Sequence, residues 1–541
     1  MRRFLSLLII MSIVMLSFCA CGETETSNKT LSFPVLTNPG SLDPQIASDT
    51  GARIAAVNCF QGLYRLGADG EPIADAAVSC DVSADGLTYT FTLNQSSRWH
   101  LISGLEDMLG ESYKTDFDTR VTADDFVFAL RRAVAPETNA PDAAKLFMIK
   151  NAEKIHSGDA AADTLGVTAQ GSYTLIIELE QRSNELFRVL ASPVSMPCNE
   201  AFFEASKGRY GLSVDKFLCN GAFYLSKWIQ DSSLLFKRNP DYLSGDTQAA
   251  PVPAAFRLYV NSDVASITEN LAESAYDAAF ITLPQDKSVL GECSITEYEN
   301  ITEGLMLNPS NKFLADADIR LALIKSLDRD TVLSAAGNLS IAKGFVPDAC
   351  KINGSAYRET AGALEYGIYD EQQAKQLWNS GTQRLGTEAV SLVISCCESN
   401  KTALGKVMQN WQRVLGVSLS VTLRVLSDKQ LAAATAAGDF DIAFTKYECS
   451  DFSAYGFLSG VFFSSLLPES YFDSLSAAAS AQSTEQAAAH CLEAEKILLE
   501  TAVFYPVCTS KTCFVLAQGS SEIYPALSND KIYFRDGRRT D

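Results

Sequence analysis

The chain has 541 residues, with 65 Asp and Glu against 44 Lys and Arg and a formal net charge of −21. So acidic a surface repels a phosphate backbone, which argues against nucleic acid as a partner. The length leaves room for two or three domains or lobes, large enough to fold on buried apolar area without disulfide staples.

The first segment carries Arg2 and Arg3, then an almost unbroken apolar run from Phe4 to Leu16. The run is short for a bilayer span and reads as a secretory signal. Two cysteines close it. Cys19 follows bulky Phe18, whereas Cys21 follows small Ala20, as in a bacterial lipoprotein cleavage site. The reading is a signal peptide over 1–20, a lipid on Cys21 and a flexible polar tether over 21–30. It places the protein on the cell surface, lipid-anchored to the outer face of the cytoplasmic membrane, in a bacterium of Gram-positive type.

From Leu31 on, strands and helices alternate. TYTFTL (88–93) alternates as a strand does. TADDFVFALRRAV (122–134) predicts a helix capped by Thr122, with Asp124 and Asp125 at its positive end and Arg131 and Arg132 at its negative end. YTLIIELE (173–180) is another strand. Asn220-Gly221 and Asn239-Pro240 are turn signals, and Gly62, Gly70, Gly86 and Gly221 fall where turns need positive φ or close approach.

Arg320, Asp328 and Arg329 are expected to charge a helix surface and its end. KTALGKVMQNWQRVLG (401–416) predicts an amphipathic helix closed by Gly416, and the period of two that follows puts Val417, Leu419, Val421, Leu423 and Val425 on one strand face. Ser483 with Gln486 forms a capping box for a long helix through Ile497. The mixture indicates an α/β protein.

Twelve cysteines follow Cys21. An even set in an exported chain allows disulfides, but their irregular spacing and apolar neighbours, as at Cys59 and Cys513, favour mostly free, buried thiols. Enzyme signatures are missing: no G-x-S-x-G elbow, HExxH, P-loop or G-x-G-x-x-G. His100, His156 and His490 are far apart, and Cys396-Cys397 and Cys508…Cys513 lack zinc-ligand spacing. The tilt is towards binding rather than catalysis, with no catalytic residue, metal site or cofactor assigned.

Several stretches then stand in order: NPGSLDPQIAS (38–48), NCFQGLYRLGADGEPIADAAVSCDVSADGLTYTFTL (58–93), RVTADDFVFALRRAVAPET (120–138), CNGAFYLSKW (219–228), FKRNPDYL (236–243) and FLADADIRLALIKSLDRDTVL (313–333). This ordered set resembles the bacterial extracellular solute-binding proteins of the oligopeptide/dipeptide-binding family, which serve ABC importers. Cys80 stands where an aromatic residue is usual, and LISGLEDMLGESYKTDFD (101–118) replaces a short turn.

The resemblance implies a two-lobed, type II periplasmic-binding-protein-like α/β fold with an extra inserted domain. Lobe I would comprise 31–75, 206–295 and 506–541, the inserted domain 76–205 beside it, and lobe II 296–505. The implied partners are a peptide ligand, the importer's permease subunits and the membrane through the lipid anchor, with the receptor a monomer. Ser48, Asp49 and Thr50 take one ligand-pairing segment. Tyr447, Glu448 and Cys449 take the other, and Asp451 takes the position of an aspartate that binds the ligand's α-ammonium group. The alternatives are the same fold holding a metal chelate, haem, glycan or signalling peptide, or a surface hydrolase.

Overall fold

The computed structural model describes residues 27–242, 250–283, 286–336, 339–449, 452–461, 463–526 and 528–540. The expected signal peptide, Cys21, most of the tether, and Asp451 lie outside the described residues.

Three sheets organise the chain. The first has strand order Thr30–Val35, Ala255–Val260, Ser233–Arg238, Phe223–Ile229. Leu31, Phe33 and Val35 are buried, and Phe256 stacks between Phe236 and Phe534 at centroid distances of 4.5 and 4.6 Å. Each such ring, fully buried, contributes about 1.5–3 kcal/mol.

The second sheet runs Ala77–Val82, Thr88–Leu93, Thr174–Glu178, Val167–Ala169. Helix Ala123–Val134 lies beside it, with Phe126, Ala129, Leu130 and Ala133 buried. Thr122 and Asp125 form its capping box. Asp125 is also bonded by Asn199 and is itself buried, which pushes its carboxyl up to about 7 against the pull of those hydrogen bonds. Arg131 and Arg132 stand in the helix's last turn, as expected, but Arg132 turns inward. Its guanidinium is buried over the Phe203 ring and bonds both oxygens of Asp43 at 2.6 Å, joining this sheet's helix to the turn at Pro44. The insertion at 101–118 folds into two short helices, Leu105–Leu109 and Ser112–Thr115, with Leu105 and Leu109 buried.

The third sheet has seven strands, in the order Ala278–Ile281, Phe504–Leu516, Ser294–Leu307, Ile442–Glu448, Val390–Cys397, Leu419–Leu426, with Ser340–Ile341 beside Phe504–Leu516. Its first strands pack with the first sheet and its last ones form a separate core around Trp378 and Trp411. Two long antiparallel strands, 294–307 and 504–516, therefore carry the chain from one lobe to the other. Their register shifts between Tyr298 and Ile301 and again between Glu303 and Gly304. At the second shift Gly304 faces Pro506. Proline cannot donate to a ladder and is tolerated at a bulge. A Cβ on Gly304 would lie 2.2 Å from the Tyr505 carbonyl oxygen, so only glycine fits there.

Several expectations need correction. Arg320 is buried and donates to the carbonyls of Leu314 and Thr501 instead of charging a surface, and Arg329 bonds the Ala342 carbonyl and the Tyr366 hydroxyl. Val417 is fully exposed, because the strand starts at Leu419 and only Leu419 and Val421 of the expected face are buried. The helix after Ser483 runs on to Glu500, and Gln486 turns its side chain to the Gln482 N–H rather than completing the box at Ser483.

Candidate ligand-binding site

A cavity of about 490 Å³ opens between the lobes, within the range of about 300–1,000 Å³ usual for ligand sites. Its first wall is the start of helix Thr50–Cys59. Asp49 is the N-cap, with extended backbone, and its carboxylate accepts from the Ala52 N–H at 2.8 Å and the Gly40 N–H at 3.2 Å. Those bonds commit the Asp49 side chain to shaping the wall. Ser48 and Thr50, both exposed, line the cavity, whereas Asp49 does not.

One helical turn on, Arg53 enters the same cavity and bridges Asp142 at 3.1 Å and Asp530 at 3.2 Å. Lys145 joins Asp142 at 3.3 Å. Burial works to raise the Asp530 carboxyl, yet Lys531, Arg53, the Ser528 hydroxyl and Lys145 together hold it below its ordinary value. It is therefore an anion at neutral pH.

The second wall is the end of strand Ile442–Glu448. Lys446 and Glu448 alternate on its exposed face. Tyr447 points the other way. Its hydroxyl donates to the Gly460 carbonyl, and its ring packs with Phe345, Phe457 and Phe463. Glu448 keeps exposed surface but is crowded by both walls. Lost hydration lifts its carboxyl, Lys446 and a hydrogen bond from the Asn529 amide pull it down, and the charge of Asp530 lifts it again. The Asn529–Glu448 bond spans the cleft.

Cys449 is buried at the cavity's edge. Its N–H donates to the Asn300 carbonyl at 2.9 Å, and its Sγ lies 3.2 Å from that of Cys350. Phe452 holds a φ of +46°, a costly conformation for a bulky residue. The Lys351 N–H on its carbonyl (2.7 Å) and the Tyr298 ring (centroids 5.0 Å apart) hold it there.

The cavity thus brings together Ser48 and Thr50 from one predicted segment and Tyr447, Glu448 and Cys449 from the other. Sequence reasoning missed Arg53, Asp142, Lys145, Lys446 and Asp530. Arg53 was within reach, three residues after Thr50 on one helix face, as was Lys446, two before Glu448 on one strand face. Asp142 and Asp530 arrive from distant segments that carry no local signal.

Residues 71–466 match the family model described as bacterial extracellular solute-binding proteins, family 5, middle region. The chain belongs to that family. As a family-5 solute-binding protein it has relatives along most of its length. It is 26% identical over 441 residues to the dipeptide-binding protein of Lactococcus lactis, covering 78% of this chain and 77% of that one. It is 27% identical over 394 residues to the dipeptide-binding protein DppE of Bacillus subtilis, covering 71% and 68%. The solved substrate-binding domain of an oligopeptide ABC transporter from Bacillus anthracis superimposes with a TM-score of 0.73 at 23% identity, over 96% of this chain and all of that one. The fold is therefore the two-lobed, type II α/β fold of these binding proteins, and the cavity of this family-5 protein sits between its lobes.

Proposed function

We propose that this chain captures short peptides in the inter-lobe cavity and passes them to the permease subunits of an ABC importer. One observation carries the reading: the two segments expected to pair with a peptide backbone, around Ser48–Thr50 and Tyr447–Cys449, line a single cavity from opposite sides. Backbone pairing gives affinity without regard to side-chain identity, and bridging water accommodates the side chains. The two relatives named as dipeptide-binding proteins support a peptide ligand. Asp451 is our assignment for the acceptor of the ligand's α-ammonium group.

The same proposal takes the protein as a monomer that binds without turnover, held at the cell surface by a lipid on Cys21. It divides the chain into lobe I (31–75, 206–295, 506–541), an inserted domain (76–205) and lobe II (296–505). Closure bends the strands 294–307 and 504–516 at the register shift between Tyr298 and Ile301, where one core gives way to the next, a hinge motion that buries the ligand.

Native mass spectrometry of protein purified without denaturation tests the ligand. A spread of short peptide masses is expected, and a single non-peptide mass overturns the peptide assignment. Asp451→Asn, or N-acetylation of a bound peptide, should each weaken binding about tenfold or more, a loss of roughly 1.4 kcal/mol. Unchanged affinity in both removes the ammonium role. Cys21→Ser should release the protein into the medium.

A further inference from the structure

We propose that Cys350 and Cys449 are a covalent cross-linking site that fastens the cavity's second wall, independently of which ligand the cavity holds. The two sulfurs lie 3.2 Å apart, both residues are buried, and 99 positions of chain separate them. The backbones beside them are already paired. The Lys351 N–H donates to the Phe452 carbonyl at 2.7 Å, Lys351 and Ser453 form a parallel bridge, and the Cys449 N–H is held by Asn300. A disulfide needs about 2.05 Å between sulfurs, so a shift of roughly 1 Å brings these two within bonding distance.

The reaction is a thiol–disulfide exchange. Cys350 and Cys449 each give up a proton and an electron as the S–S bond forms. A low-molecular-weight disulfide accepts both electrons and both protons and leaves as two thiols. Both thiols are buried, so the exchange proceeds through local opening of this wall at the cavity's edge, where Cys449 lies. The exported compartment favours the oxidised state. Once formed, the bond ties the short strand Lys351–Ile352 to the end of strand Ile442–Glu448. The wall then keeps its shape whether the lobes are open or closed.

The test uses the full chain treated with oxidised glutathione. Remaining thiols are blocked with N-ethylmaleimide under denaturing conditions, and the digest is mapped by mass spectrometry. The expected product is one peptide pair joined through Cys350 and Cys449, lighter by two hydrogens than the separate thiols and split by dithiothreitol. The oxidised protein should melt about 5–10 °C above the reduced one, and Cys350→Ser should abolish that difference. Full labelling of both cysteines after oxidation, linkage of Cys449 to another cysteine, or a melting difference that survives in Cys350→Ser each overturns the proposal.

Discussion

Two charged clusters in this protein use the same ingredients for opposite purposes. Away from the cleft, Arg358 donates to both oxygens of Glu495 and to the Val346 carbonyl. Glu495 also accepts from the Val346 N–H at 2.8 Å and the Tyr357 hydroxyl at 3.1 Å, and it is entirely buried. Gly344 leaves the space, since a Cβ there would strike Arg358 and Glu495. In the cleft, Arg53 likewise stands between carboxylates, Asp142 and Asp530, but beside an open cavity lined with Lys145, Lys446 and Glu448. The enclosed cluster is saturated and serves stability. The open one has neighbours of both signs that a ligand's charged ends can engage in exchange.

The largest test breaks the enclosed cluster. Glu495→Ala leaves Arg358 buried without its anion and should cost about 3–5 kcal/mol in urea denaturation. A cost below about 1 kcal/mol would erase the contrast with the cleft.

Next comes Asp125, a buried carboxyl stabilised by hydrogen bonds rather than by a cation. Its folded value, about 7, lies above the ordinary 3.8. Between those two values the folded protein holds more protons than the unfolded one, so this group's contribution to stability falls as pH rises through that window. The penalty reaches about 4 kcal/mol at neutral pH, at roughly 1.4 kcal/mol per pH unit. Asp125→Asn should flatten the profile. Melting temperatures of both proteins from pH 4 to 8 check this, and parallel curves would refute it.

The smallest effect belongs to the cleft. Lys446→Ala should change stability by no more than about 0.5 kcal/mol. It should nevertheless raise the Glu448 carboxyl further, since the Lys446 charge opposes that lift. Carbon NMR of labelled glutamate would show the shift. A large loss of stability with an unmoved Glu448 would make Lys446 a structural residue after all.

Local signals in the sequence were read well where one element decides the outcome. Thr122 caps its helix, Gly416 closes another, and alternation locates the strand at 88–93. Charges were misread where burial decides. Nothing near Arg320 or Arg132 in sequence shows that each guanidinium sits inside, because the distant partner of each, Thr501 and Asp43, is 181 and 89 positions away. The site was half legible for the same reason. The segments at Ser48 and Tyr447 have motif neighbours, and the helix and strand periods extend them to Arg53 and Lys446. Asp142 and Asp530 become part of the cavity only when the third dimension is known.

Residues 530–534 complete the surroundings of helix Thr50–Cys59. Asn58 bonds the Ile532 carbonyl at 2.6 Å and the Phe534 N–H at 3.0 Å, across 474 and 476 positions, while Asp530 grips Arg53. Contacts so distant in sequence make for slow folding. The wall that begins at Ser48 therefore cannot be finished until residues 530–534 have folded back onto helix Thr50–Cys59.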